Sequence, residues 1–108
     1  KERDWLDKFQ IPQEKRTRFI TSKTGKRYSV DALVDKTIYE FYGSYWHGDP
    51  RQPTPNGFNQ KAKKTMKELY DRTIKRHQDI VDSGYQIVFV WELDYDKGFI
   101  TSQHPVIT

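Results

Sequence analysis

Arg27-Tyr28-Ser29-Val30-Asp31-Ala32-Leu33-Val34-Asp35-Lys36-Thr37-Ile38-Tyr39-Glu40-Phe41-Tyr42 contains two β-rich runs joined by a two-residue link. Residues 27 to 34 and 37 to 42 both read as strands, the second with β-branched or aromatic side chains at every position but Glu40. Asp35-Lys36 is short enough only for a tight antiparallel turn. Each run also carries a carboxylate among apolar neighbours: Asp31 within Val30-Asp31-Ala32-Leu33-Val34, and Glu40 between Tyr39 and Phe41. An ionised carboxylate near a core must be paired or bound to metal, because burying a bare charge is expensive. The stretch therefore predicts a hairpin that brings two acids to one sheet edge.

Upstream, residues 17 to 22 read as a further strand. It is linked through Ser22-Lys23-Thr24-Gly25-Lys26, where Gly25 can take a positive φ. Residues 2 to 10 read as a helix with Trp5, Leu6 and Phe9 on one face, ended by Ile11-Pro12. Downstream, the prolines and glycines of residues 48 to 60 predict a loop. Residues 61 to 83 predict a long helix, with Met66, Leu69, Tyr70, Thr73, Ile74, His77, Ile80 and Val81 at i, i+3, i+4 spacing. Gly84 ends it. Ile87-Val88-Phe89-Val90-Trp91 is an uninterrupted apolar run, expected to be a strand buried on both faces. The tail from Asp94 is weakly patterned and is expected on the surface or against another chain. Helix, three strands, loop, long helix and buried strand predict an α/β or α+β fold with a mixed sheet flanked by helices.

With 108 residues, the chain fits a single domain, residues 1 to 108. It starts at Lys1 without methionine, and we read it as a piece of a longer protein or as a processed chain, with homodimer formation open to the full-length protein. The absence of cysteine rules out disulfides and thiolate metal sites, in keeping with a cytoplasmic setting. No apolar run approaches the roughly 20 residues of a membrane span. The net charge is +4, and its distribution is uneven. Six cations and no acid lie between Lys15 and Arg27, and seven cations against two acids between Lys61 and Arg76. Basic flanks around an acidic centre suit a polyanion held over a metal site. As a bland alternative, each run is a solvated face.

Two carboxylates held close raise each other's pKa, and a divalent cation relieves the repulsion. Mg²⁺ suits oxygen ligands and keeps several waters; Mn²⁺ would substitute. His47 follows within Gly43-Ser44-Tyr45-Trp46-His47-Gly48-Asp49-Pro50 and has an ordinary pKa near neutrality, fit for proton transfer. Metal plus histidine is a sufficient kit for phosphodiester hydrolysis. Each residue alone also has a structural reading: Asp31 as a strand-edge acid paired with arginine, Glu40 likewise, and His47 as a satisfied loop histidine. His77, on the apolar face of the helix, reads as packing, and Trp5 and Trp91 as core.

The blocks Val30-Asp31-Ala32-Leu33-Val34, Glu40 to Gly48 with its Gly43, Trp46 and His47, and Gly84-Tyr85-Gln86-Ile87-Val88-Phe89-Val90-Trp91-Glu92 together resemble the very-short-patch-repair endonucleases, over roughly residues 2 to 93. The resemblance implies a restriction-endonuclease-like fold and Mg²⁺-dependent cleavage of double-stranded DNA. It also implies Asp31 as central metal ligand, the Phe41 carbonyl as a further ligand, Glu2 as the helix glutamate beside the site, and His47 as the catalytic histidine. Tyr42 stands where that family has another histidine. Thr73 stands where it has a helix aspartate supporting the catalytic one; Asp49 or Asp71 could substitute, Asp49 being favoured for its closeness to His47. The family's partly cysteine-held zinc does not carry over. Glu40 is similar to the acidic member of the wider PD-(D/E)xK pattern and is expected to share the metal. This blend resembles phage homing endonucleases of the E-D-x-H-D class more than the mismatch-repair nicking enzymes. A non-catalytic nucleic-acid-binding module on a decayed nuclease fold is the rival from another class. Arg16, Arg18, Lys63, Lys64 and Arg76 are the expected DNA contacts.

Overall fold

The structure, a computed structural model, describes residues 1–52 and 57–107. In chain order the elements are α1 (Glu2–Lys8), a 3₁₀ turn (Gln13–Lys15), β1 (Arg16–Thr21), β2 (Arg27–Val34), β3 (Thr37–Tyr42), α2 (Ser44–His47), β4 (Phe58–Asn59), β5 (Lys64–Thr65), α3 (Met66–Asp82), β6 (Gln86–Trp91) and α4 (Glu92–Asp96). The fold is α+β. β1, β2 and β3 form the antiparallel meander that the hairpin stretch predicts. β6 joins the far side of β3 in parallel, giving the order β1-β2-β3-β6. A parallel neighbour needs a crossover, and α3 supplies it.

Strict alternation along β3 and β6 sorts the core into two layers. On one face Phe41 and Val90 pack with Trp5, Leu6 and Ile11 from the α1 region. On the other, Ile38 packs with Ile20, Val30 and Ile80 of α3. Tyr42, Phe89 and Trp91 continue that second face towards Tyr70 and Ile107. Trp5 and Trp91 are both fully buried, as expected of core residues.

One expectation changes. α3 starts at Met66, not at residue 61. Lys64 and Thr65 pair instead with Phe58 and Asn59 in a two-stranded ladder. Thr65 then caps the helix, accepting from the Glu68 amide while Glu68 accepts from the Thr65 amide. This reciprocal box satisfies two helix-start donors and fixes the boundary. Of the loop expected at 48 to 60, residues 53–56 lie outside the described residues. The tail, expected on the surface or against another chain, does lie at the surface, with Phe99, Ile100 and Val106 exposed, and is tied to its own chain. The Trp5 indole donates to the Ile100 carbonyl at 2.6 Å, the Trp91 indole to the Pro105 carbonyl at 3.1 Å, and the Ile107 amide to the Tyr70 hydroxyl at 2.8 Å.

Among the described residues no helix is long and apolar enough to cross a membrane.

Candidate active site

The site begins as a fault in β2. Residues two apart in a strand share a face, yet Val30 packs on the α3 layer and Ala32 on the α1 layer. Alternation therefore breaks at Asp31. Opposite it, Thr17 takes a left-handed φ of 52°, between the regular pairs Arg16–Ala32 and Arg18–Val30. On the other side, the β2–β3 ladder stops at Ala32–Tyr39. One step further along the same register would set Asp31 opposite Glu40. There the strands part, and the Asp31 carboxylate takes the place of a backbone partner, accepting from the Phe41 amide at 2.7 Å. The N–H and C=O of one strand residue point to the same side. The Phe41 carbonyl thus also looks into the gap beside Asp31.

Glu40, on the α3 face of β3, is only 3% exposed. Its Oε1 accepts from Arg76 Nη2 at 2.8 Å, and the same Nη2 donates to the Ser29 carbonyl at 2.6 Å. The Arg76 guanidinium also lies 5.2 Å from the Tyr28 ring centre. Its Nη1 is buried and has no hydrogen-bond partner among the described residues. Burial first, and then the charge of Glu40, push the Asp31 carboxyl up to about 8 against the pull of the Phe41 amide. Burial raises Glu40 as well, opposed by Arg76. Glu2, exposed on α1, adds its negative charge to both acids. The resemblance sets Glu2 beside the site, and its charge reaches both acids there.

His47 is the last residue of α2, a single turn held by its amide on the Gly43 carbonyl. Gly48 ends that turn at φ 70°. A Cβ there would run into the Met66 carbonyl and the Tyr70 amide, so only glycine lets α2 lie this close to α3. The imidazole Nδ1 is 3.1 Å from the Thr73 hydroxyl, and the ring packs against Tyr42 at 5.0 Å between centres. Burial, then Arg76 and Arg72, lower the pKa of His47 to about 4, so it is a neutral base at pH 7. The favoured support, Asp49, is elsewhere: fully buried, it binds the Arg51 guanidinium at 2.7 Å and ties this loop to Asp94 of α4. Asp71 pairs with Lys67. The residue on Nδ1 is Thr73. Tyr42, which stands where the resembled family has a further histidine, and His77, read as packing, form a buried hydrogen-bonded pair at 2.6 Å.

Asp31, Glu40 and His47 line one cleft of about 430 Å³, with Lys26, Arg72, Lys75 and Arg76 around it. Of the expected DNA contacts only Arg76 is in this group. Arg16 is a correction: its guanidinium is spent on Asp7 at 2.7 Å and on the Ile11 carbonyl, bracing the α1–β1 corner. Arg18 is exposed on the edge strand with Nη1 at 3.4 Å from the Glu14 carbonyl, and Lys63 and Lys64 sit on the small β4–β5 hairpin; none of the three lines the cleft. Lys26, Arg72 and Lys75 fall inside the two basic stretches, but only the fold singles them out. On α3, Arg72 and Thr73 precede Lys75 and Arg76 by three residues, the spacing that puts each pair on one helix face.

Asp31 spends Oδ2 on Phe41 and Glu40 spends Oε1 on Arg76, which leaves each a second oxygen for a cation. Among the described residues no three His, Cys, Asp or Glu side chains stand together as a ligand set. The donors present are two carboxylates, a strand carbonyl and room for water. That set fits Mg²⁺, which is commonly held by one or two carboxylates with waters completing an octahedron. Comparison of the chain with protein-family models, curated proteins and solved structures gives no match.

Proposed function

We propose that this chain is the catalytic domain of a Mg²⁺-dependent endonuclease that hydrolyses phosphodiester bonds in double-stranded DNA. The observation that carries this reading is the meeting of a buried acidic pair, a neutral histidine and four cations in one cleft. An acidic pair repels DNA, so a module that only binds DNA gains nothing from it; a metal-dependent hydrolase requires it.

Asp31 and Glu40, with the Phe41 carbonyl, would hold Mg²⁺, which supplies charge stabilisation to the reacting phosphate. His47 accepts the proton of the attacking water, for which a neutral imidazole is the correct form. Arg76, which lines the cleft beside the acids, would hold a phosphate oxygen there; a guanidinium suits that forked geometry. Lys26, Arg72 and Lys75 hold the flanking phosphates without reading sequence. The resemblance to very-short-patch-repair enzymes and their homing-endonuclease relatives supports the same assignment. The rival binding module draws on the Arg76–Glu40 pair, which occupies one of the acids.

The test is relaxation of supercoiled plasmid at low salt with Mg²⁺ or Mn²⁺, beside Asp31→Ala and His47→Ala. Metal-dependent nicking by the wild type, absent from both variants, is expected. Equal nicking by all three, or no binding of Mn²⁺ by calorimetry, would overturn the proposal and favour the binding module.

A further inference from the structure

We propose that Thr73 is the positioning residue of His47, locking its neutral imidazole as the Nδ1–H tautomer and leaving Nε2 as the proton acceptor. The proposal follows from the hydrogen count at one oxygen. A threonine hydroxyl has one hydrogen to donate and two lone pairs. Thr73 Oγ1 lies 2.9 Å from the Leu69 carbonyl and 3.3 Å from the His47 carbonyl. Both are acceptors only, so they compete for the single hydrogen. The shorter contact is the one a helical threonine makes to the residue four before it. With the hydrogen on Leu69, Oγ1 meets Nδ1 at 3.1 Å as an acceptor, and Nδ1 must carry the proton.

Among the described residues the surroundings leave no competitor for that role. Thr73 is 4% exposed, so solvent does not displace the contact. The Tyr42 hydroxyl, whose ring lies against His47, is engaged by His77 Nδ1. Asp49 and Asp71 are held by Arg51 and Lys67. A hydroxyl in place of a carboxylate fixes the tautomer without adding a counter-charge for an imidazolium. His47 thus stays a base that releases its proton readily, rather than one that stores it.

Long-range ¹H–¹⁵N NMR of the imidazole nitrogens, on the whole chain at pH 7, reads the tautomer directly. Wild type and Thr73→Ser are expected to show the Nδ1–H form. Thr73→Val, nearly isosteric but without the hydroxyl, is expected to shift towards Nε2–H. Its plasmid relaxation is expected to slow by about 10- to 100-fold, part of what a placed general base contributes, with DNA affinity unchanged and Thr73→Ser restoring the rate. An Nε2–H wild type overturns the proposal, whether or not the valine variant folds, and so does a Thr73→Val spectrum identical to wild type. The kinetic arm rests on the nuclease reading. If the tautomers behave as stated while the wild type cuts no DNA, the nuclease reading fails and the Thr73 assignment stands.

Discussion

Arg16 and Arg76 come from equally basic stretches, yet their guanidinium groups meet different partners. Arg16 is turned inward onto Asp7 and the Ile11 carbonyl, whereas Arg76 stands in the cleft with one nitrogen on Glu40 and the other without a partner among the described residues. Arg72 and Lys75 are exposed beside it. Replacing Arg72 or Lys75 with alanine is therefore expected to weaken DNA binding for all sequences. The slope of log affinity against log salt should fall by about one per cation removed, with the melting temperature unmoved. Arg16→Ala should do the reverse, costing about 1–3 kcal/mol of stability for the lost charged hydrogen bonds and leaving the slope alone. Filter-binding titrations and thermal melts separate the two. Charge runs in a sequence locate polyanion-binding surface only to within a stretch; which cations reach out depends on whether a carbonyl or carboxylate lies within a side chain's length. For the same reason Asp31, Glu40 and His47 are legible from the sequence, since acids in apolar strands are anomalous there. Thr73 is marked only by the resemblance, and only as the place of a missing aspartate, because a threonine at a core position of a helix is ordinary.

Element boundaries follow similar logic. Strands 27–34 and 37–42 are read correctly because the two-residue link Asp35-Lys36 leaves room only for a tight antiparallel turn, which fixes the register from Val34–Thr37 to Ala32–Tyr39. The start of α3 is misread because the lysine-rich residues 61–64 are good helix formers by propensity. Thr65-Met66-Lys67-Glu68 carries the capping signal that overrides them. The chief constraint between elements is the contact of α2 with α3 at Gly48. Gly48→Ala must either shift backbone or unwind the single turn of α2. It is expected to destabilise the fold by more than about 2 kcal/mol and to move His47 off Thr73. Denaturant titration would register the first effect and the imidazole NMR spectrum the second. A stable Gly48→Ala protein with an unchanged spectrum would show that the approach is looser than the geometry indicates.

For the molecule as a whole, the same burial that shapes the site makes stability depend on pH in two opposite ways. His47 and His77 are lowered to about 4, below their ordinary value, so the unfolded chain binds more protons between about pH 4 and 6.5. Their contribution to stability rises across that window and is flat above it. Asp31, raised to about 8, holds a proton that the unfolded chain has lost; its contribution falls as pH rises from about 4 to 8, and Glu40 moves in the same direction. Above pH 6.5 the histidine contribution is flat, while Asp31 still titrates. Metal-free protein should accordingly melt at lower temperature at pH 8.5 than at pH 6.5. Asp31→Asn should flatten the decline, as should saturating Mg²⁺, which replaces the proton. Circular-dichroism melts in chelator decide it, and a melting temperature that is level or rising over that range would contradict the burial of the acidic pair. The docking of the tail is the global feature least legible in the sequence. Its contacts run from tryptophan indoles to main-chain carbonyls, and every residue has a carbonyl, so no residue pattern announces them.

Where β2 and β3 part, one amide of the sheet is bonded to a side chain instead of a neighbouring strand. The Phe41 N–H on Asp31 Oδ2 consequently senses the electron density of that carboxylate, which changes when the acid gains a proton, loses one or coordinates an ion. Its chemical shift and its rate of exchange with deuterium should respond to each of these events while the amides of the regular ladder stay still. The protein carries within its backbone a label-free indicator of what its own acidic pair is holding.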